Sequence, residues 1–578
     1  MSRRKPMTLQ DAMTLLESLQ NANSDESDSD EDFMDDYLCT GEDYIPPPLD
    51  SSSESDSDTE PSSIIRKDPT PKPTSVPGDD GPSVISKDGT VWKQCSSSNV
   101  QGRMAAQNIV RIKPGPTSYA FRNIKSGSCD TAFKLLFDES MIRHIQKCTN
   151  AEGRRETNNE SWNVSLEELE KFIGLIIYRG ITGGRTRPLK KMWSNLWGEP
   201  LFPKTMSKNR FSEIMRYIRF DMKNERSTRL IDDKFCLASD IWNPFIENCQ
   251  KSFVPGVNVT VDEQLLPCKA RCKFIQYMAN KPDKFGIKFW LLVDVDSKYL
   301  FNGYPYLGKD DTRNSNVSVS CNVVLQLAKP LFNKGYNITC DNYFTSLDLA
   351  VRLAEKKCSV VGTLRQNRRE VPLECKKNKP LHETSVLTCN KNNTVVSLTA
   401  YQCKKAKNVL ILSSMHPDVI VPTQGNPKKK PETVLYYNAN KVAVDVFDQM
   451  TRSSSVKAGS RRWPMHVFYN IIDSALINGH ILYTKVCGVK MSRRNFIQEV
   501  SKGLTGHNTD DEGHEPMDQP PLKRRLADEN QSAFVTKAAR RKCSVSTKCK
   551  NRTTVTCVEC QIPVCGTHSV VYCPNCKE

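Results

Sequence analysis

The sequence predicts a multidomain α/β protein, on three observations. Apolar residues recur at helical spacing between about residues 105 and 257. Short alternating strands with an interposed helix take over from 258 to 366. A Lys- and Asn-rich stretch with two more strand-like runs, 367–431, breaks that pattern before helical periodicity returns over 432–502. Strands followed by helices indicate a sheet with helices packed on it, so the expectation is an α/β domain interrupted by a β-rich insertion. A mainly helical domain precedes it, and a polar, basic linker (503–542) leads to a cysteine-rich module at 543–578.

Residues 1–104 form an acidic N-terminal region. Its first 60 residues hold 17 acidic side chains against three basic ones. Ser alternates with Asp and Glu, as in Ser24-Asp25-Glu26-Ser27-Asp28, and Pro, Ser and Gly follow. So little apolar surface cannot offset the entropy of ordering, and disorder is expected to about residue 100, save a short helix around Leu15, Leu16 and Leu19. Ser165-Leu166-Glu167-Glu168 reads as a capping box before Leu169, Phe172, Ile173, Ile176 and Ile177. A second helix runs through Phe211, Ile214, Met215 and Ile218, with Arg210, Arg216 and Arg219 interspersed. Trp193 and Trp197, four apart on a helix, read as core, with stacking on nucleic acid the alternative. Strands are expected at Asn258–Asp262, Gly286–Val295, Tyr336–Cys340 and Cys358–Gly362, with Thr345 capping a helix through Leu349 and Leu353. Val395–Tyr401 and Val409–Leu412 are the strands of the insertion. Pro464 suits the first turn of a helix through Phe468, Ile471, Ile472, Ala475 and Leu476.

The net charge of +16 hides a much more basic body behind the acidic start. Such a body favours a polyanionic partner through counterion release, although a merely solvated basic surface has the same composition. Lys428-Lys429-Lys430 reads as a solvated loop. No run approaches the roughly 20 apolar residues of a membrane span, and no apolar stretch follows Arg3, Arg4 and Lys5 to make a secretory signal. A chain kept in a reducing compartment leaves its 22 cysteines as thiols or metal ligands. The basic clusters Lys523-Arg524-Arg525 and Arg540-Arg541-Lys542 suit residence in the nucleus.

Two patterns carry chemistry. Cys543, Cys549, Cys557, Cys560, Cys565, His568, Cys573 and Cys576 form four closely spaced pairs, enough for two tetrahedral Zn2+ sites. So short a segment has little apolar core, so the metal supplies most of its folding free energy. First pair with third and second with fourth is the preferred pairing. The other pattern is a set of carboxylates at the ends of apolar elements. Asp262 follows Val259-Thr260-Val261, Asp341 follows Ile338-Thr339-Cys340, and Asp445 and Asp448 share one face of a helix beginning near 442. Cleaving a phosphodiester needs an activated water and a stabilised leaving oxygen, which two hard cations about 4 Å apart supply. Each Asp taken singly is more often a cap or turn residue than a metal ligand.

The surrounding words narrow the choice. Val261-Asp262-Glu263-Gln264-Leu265-Leu266, Asn280-Lys281-Pro282-Asp283-Lys284-Phe285-Gly286-Ile287-Lys288, Thr339-Cys340-Asp341-Asn342-Tyr343-Phe344-Thr345-Ser346, Asp445-Val446-Phe447-Asp448-Gln449-Met450 and Arg462-Trp463-Pro464-Met465, in this order, resemble the piggyBac family of transposases. The resemblance runs from about residue 105 to the C-terminus. It implies an RNase H-like catalytic domain split by an insertion, with Asp262, Asp341 and Asp445 binding catalytic Mg2+ or Mn2+ and Asp448 a fourth required aspartate. It also implies cut-and-paste transposition of double-stranded DNA: the ends at the inverted repeats are released through hairpins and joined at TTAA. The helical region 105–257 then corresponds to a dimerisation and DNA-binding domain, and the cysteine module to one that binds the transposon ends. In this setting Arg210, Arg216, Lys284, Lys288, Arg462 and Trp463 are the candidate DNA contacts.

Two departures stand out. Val442-Ala443 occupies positions where the family usually carries Gly-Gly, and the first cysteine pair is spaced by five residues rather than two. A host-domesticated protein that binds DNA without transposing is the second reading, and a ubiquitin-ligase zinc domain at the C-terminus a third.

Overall fold

The structure, a computed structural model, describes residues 82–95, 109–279, 281–308, 317–422 and 425–507, with short pieces at 541–542, 545, 551–553 and 562–565. The chain separates into two compact units, Met1–Asp511 and Glu512–Glu578. The first is built on one mixed sheet of 11 strands.

Five strands make the heart of that sheet: β3 (Asn258–Pro267), β5 (Phe285–Asp294), β6 (Leu300–Pro305), β7 (Asn337–Cys340) and β8 (Ser359–Thr363). Their spatial order is β6-β5-β3-β7-β8, antiparallel among β6, β5 and β3, then parallel from β3 to β7 and β7 to β8. A short β4 (Ile275–Tyr277) pairs with β5 at the far edge. β5 is buried along nearly its whole length, as its mostly apolar run requires of a strand covered on both faces, and β7 is buried throughout.

The other edge departs from expectation. Residues 367–431 do not fold as a separate subdomain. β9 (Thr384–Lys391), β10 (Thr394–Lys404) and β11 (Lys407–Ser413) form a meander whose last strand pairs with β8, Val361 opposite Ser413, and so extends the central sheet. Beyond β9 lies a hairpin from the region expected to be disordered: β1 (Ser83–Ile85) and β2 (Val91–Cys95), with Cys95 opposite Val386. Two strands this short carry no readable periodicity, and a lone hairpin is marginal in water. An open sheet edge supplies the missing partner, and Trp92 is fully buried there, its Nε1–H donating to the Glu370 carbonyl at 3.0 Å.

Helices cover the sheet and build the region before it. Among them are α1 (Glu139–Thr157), α2 (Leu166–Ile181), α3 (Lys208–Tyr217) and α4 (Cys236–Ser252). The Ser165 hydroxyl accepts the Glu168 N–H at 3.1 Å, as the capping box predicts. Between β6 and β8 run α5 (Val319–Ala328) and α6 (Leu347–Glu355). The cap of α6 is Ser346, not Thr345; Thr345 instead donates to the Asp341 carbonyl at 2.7 Å. After the insertion come α7 (Glu432–Asn440), α8 (Ala443–Arg452), α9 (Trp463–Cys487) and α10 (Arg493–Thr505). α9 is buried on nearly every side, while α10 lies against α2. Gly174 permits that approach: a Cβ there would stand 2.8 Å from Thr505 Cγ2.

Trp193 and Trp197 do not share a helix, because Leu189–Met192 ends before them. Trp193 packs on Phe202 and Phe211, and Trp197 is 72% exposed. Among the described cysteines outside the terminal module, all are free thiols and only Cys403 and Cys487 escape full burial. Among the described residues no helix is long and apolar enough to cross a membrane.

Candidate catalytic site

The central strands bring two of the four aspartates side by side. Parallel pairing of β3 with β7 ends at Val261 opposite Cys340, so the next residue on each strand is an aspartate, Asp262 and Asp341. Asp262 is not at the end of its own strand, as the sequence suggested, because β3 runs on to Pro267 against β5. It is the pairing with β7 that stops, which opens a notch at the two carboxylates. Asp262 Oδ1 accepts the Glu263 N–H at 2.8 Å, and Asp341 Oδ1 accepts the Tyr343 N–H at 2.9 Å.

α8 closes the third side. Its first turn carries Asp445, and Asp448 one turn later accepts from the Gln264 amide of β3 at 2.9 Å. Gln264 is held in turn by Asn470 of α9, Nδ2 to Oε1 at 3.1 Å. Strand alternation puts Gln264 on the same face of β3 as Asp262, so this bond seats α8 over that face.

The carboxylates perturb one another. Burial, followed by the charges of Glu263, Asp341 and Asp445, holds the Asp262 carboxyl well above the usual carboxylate range. Burial and Glu263 push Asp341 up to about 6. Asp445 is raised by burial, with Lys281 pulling the other way and Asp448 adding to the rise. Burial works against the Lys281 ammonium, yet Glu263, Asp262, Asp445 and Asp448 outweigh it and keep its proton held more tightly than usual. All the nearby acidic donors are oxygens, which suits a hard divalent cation. Among the described residues no three His, Cys, Asp or Glu side chains stand close enough to share one ion.

Four of the expected DNA contacts make contacts within the protein. Arg210 makes a two-pronged contact with Glu168, at 2.6 and 2.8 Å, and a third bond to Glu213 at 2.8 Å. Arg462 donates to the carbonyls of Met215 and Ile218, both at 2.7 Å, closing the C-terminal end of α3. Trp463 is buried against Phe235 and Phe274, with centroids 5.4 and 5.1 Å away. Lys288 lies with its ammonium 3.9 Å from the Trp290 ring centroid, and burial lowers its pKa. A sequence word shows that a residue is basic or aromatic but not which side of its element faces the core. Arg216 and Lys284 are exposed.

Of the expected zinc ligands, Cys565 is buried and accepts an N–H from Asn551 at 3.6 Å. Cys543, Cys549, Cys557, Cys560, His568, Cys573 and Cys576 lie outside the described residues, as does the helix expected around Leu15, Leu16 and Leu19.

A family profile described as "Transposase IS4" matches residues 129–480. A cryo-EM structure of the piggyBac transposase synaptic complex with hairpin DNA superposes with a TM-score of 0.63 at 31% identity, covering 80% of this chain and all of that one. The chain belongs to the piggyBac transposase family. Human "PiggyBac transposable element-derived protein 3" is 23% identical over 472 residues, 76% of this chain and 75% of the relative. The human "Chimeric ERCC6-PGBD3 protein" shows the same identity over 42% of its own length.

Several residues of this piggyBac-type site were not singled out from sequence: Glu263, Gln264, Lys281, Arg452 and Asn470. One signal was readable. Asp262-Glu263-Gln264 places three polar residues in succession within an otherwise apolar strand, so polar groups must face both sides of the sheet. Arg452 and Asn470 come from distant segments and carried none, while Lys281 stood only inside the quoted family word 280–288.

Proposed function

We propose that this chain is a cut-and-paste DNA transposase. In it Asp262, Asp341 and Asp445 hold the divalent cations, Mg2+ or Mn2+, and Asp448 keeps α8 in place through Gln264. The observation that carries the reading is the pair of aspartates one step past the last β3–β7 register pair, with α8 docked beside them. Strand order β6-β5-β3-β7-β8 supports an RNase H-like catalytic domain, and membership in the family supports double-stranded DNA at inverted repeats as substrate. The likeness to a synaptic complex with hairpin DNA supports hairpin-ended release; assembly as a homodimer and joining at TTAA follow from the family resemblance. When bound, the cations would activate the attacking water and stabilise the leaving oxygen. The chain's own part is to crowd carboxylates whose mutual repulsion a cation relieves. The C-terminal module would hold two Zn2+ and recognise the ends, and the protein would act in the nucleus.

Expression beside a donor plasmid bearing the cognate ends should give excision, and Asp262→Asn should abolish it. A second reading, a domesticated DNA-binding protein without transposition, draws on Val442-Ala443 at the entry to α8 and on the absence of a ready-made three-ligand cluster among the described residues. Restoring Gly at 442 and 443 separates the two: excision that appears only in that variant favours domestication.

A further inference from the structure

Nine lysines from three separate runs converge on one end of the sheet. Lys376, Lys377 and Lys379 precede β9. Lys404, Lys405 and Lys407 flank the turn from β10 to β11, and Lys428, Lys429 and Lys430 precede α7. Polar contacts join the three runs. The Gln402 side chain accepts the Lys379 N–H at 3.1 Å and donates to the carbonyls of Lys404 and Lys405 at 2.8 and 3.2 Å. Asn408 Nδ2 donates to the Cys375 carbonyl at 2.5 Å, and the Tyr401 hydroxyl to the Lys428 carbonyl at 2.6 Å. Asn426 fixes the last run, accepting the Lys430 N–H at 3.0 Å and donating to the Lys430 carbonyl at 2.8 Å. These joints use backbone groups and the side chains of Gln402, Asn408, Tyr401 and Asn426, never an ammonium. Six of the nine lysines are exposed and the other three half-buried. Over the stretches that carry them, 375–383, 401–408 and 425–430, Glu383 is the single acidic residue.

The end they crowd is the one at which Asp341 stands. Cys340 pairs with Gly362 and Gly362 with Leu412, so the next row holds Asp341, Thr363 and Ile411. From Ile411, β11 extends four residues further outward, to its first residue, Lys407. The chain leaving β8 follows it, with Gln366 Nε2 donating to the Asn408 carbonyl at 3.1 Å. Two strand spacings sideways and four residues along put Lys407 roughly 16 Å from Asp341.

We propose that this lysine-bearing end is a DNA contact separate from the carboxylate notch: it seats the phosphate backbone of the duplex arm beside the bond being cut. At the axial rise of B-DNA, 16 Å is about five base pairs, so a duplex held at the notch reaches the lysines. Crowded ammoniums repel one another, and a polyanion relieves that repulsion while releasing its own counterions. Lysine is a compact point charge on a flexible stem, which follows a phosphate chain without reading bases. The choice of DNA as the polyanion rests on the function proposed above; the convergence of the lysines does not.

Lys377→Gln/Lys405→Gln/Lys428→Gln takes one exposed charge from each run and leaves every joint in place. Binding of the full-length variant to duplexes carrying the cognate ends, measured in EDTA over a range of salt, should give a slope of log Kd against log salt smaller by about 2–3 than that of wild type. Arg at the same three positions should restore the slope. Lys329→Gln/Lys334→Gln/Lys356→Gln removes equal charge at the opposite end of β7 and β8 and should leave it unchanged. Trimming the duplex to about three base pairs on one side of the cut should weaken wild type and not the first variant. A first variant with the wild-type slope overturns the proposal, and is the result expected if an acidic protein segment fills this end instead. An equal loss in the opposite-end variant, or wild type indifferent to trimming on both sides, overturns it too. Protein that binds the duplexes but nicks none in Mg2+ counts against the catalytic reading alone, because the slope is read without metal. Wild type that binds no duplex overturns both.

Discussion

Replacing Asp341 by Asn should abolish strand cutting and, at the same time, make the metal-free protein more stable. The Asn side chain keeps Oδ1 as acceptor for the Tyr343 N–H, so the loop after β7 retains its anchor. What disappears is a charge the fold resists, because burial and Glu263 lift this carboxyl from 3.8 to about 6. That rise corresponds to ~3 kcal/mol of disfavoured ionisation, which partial exposure to solvent reduces to ~1–2 kcal/mol. The sign follows from linkage: the native state binds the proton more tightly than the unfolded chain. The penalty is therefore fully present above about pH 6 and fades as pH falls toward about 4. Urea unfolding of wild type and variant in EDTA, followed by tryptophan fluorescence at about pH 8 and again at about pH 4, reads this directly through the midpoint. The variant should unfold later at the higher pH, the difference should shrink at the lower, and Mg2+ should stabilise wild type more than the variant. A variant less stable than wild type at the higher pH, or a pH-independent difference, would refute the argument that these carboxylates are mutually strained.

Further outcomes are expected. Asp262→Asn and Asp445→Asn should reduce nicking of cognate ends by several orders of magnitude without loss of end binding. Asp448→Asn, whose amide can still meet Gln264, should leave measurable residual cleavage. Gly174→Ala forces a Cβ against Thr505 Cγ2 and the Ser501 carbonyl, and the α2–α10 contact should lose ~1–3 kcal/mol, seen as a lower thermal midpoint. Removing residues 1–81 should raise DNA affinity at low salt, with the gain shrinking as salt rises, whereas removing 1–100 should also destabilise the fold by stripping Trp92 from the sheet edge; equal stability of the two truncations would contradict the hairpin's packing.

Much of the site was legible because strand and helix periods are local properties. Val259-Thr260-Val261 and Ile338-Thr339-Cys340 announce strands, and a carboxylate directly after each is unusual enough to notice. Asp445 and Asp448 share a helix face by spacing alone. Ser165 announces a cap because Glu168 lies within one turn of it. The same locality hides the surroundings of other side chains. Arg210, Arg462 and Trp463 resemble surface groups until Glu168, Met215, Ile218, Phe235 and Phe274, all far away in sequence, are seen to surround them.

The sequence by itself determined the order of elements, the family, and which aspartates stand in the catalytic words. Only the tertiary structure decided that β3 and β7 lie parallel in the register that places Asp262 beside Asp341. It also decided that the insertion and an N-terminal hairpin extend one sheet, and that Arg452 reaches both Asp448 and Asp283. Strand partners are chosen by burial and edge availability across the whole chain, and a hydrogen bond spanning 169 residues, as from Arg452 to Asp283, leaves no trace in local pattern.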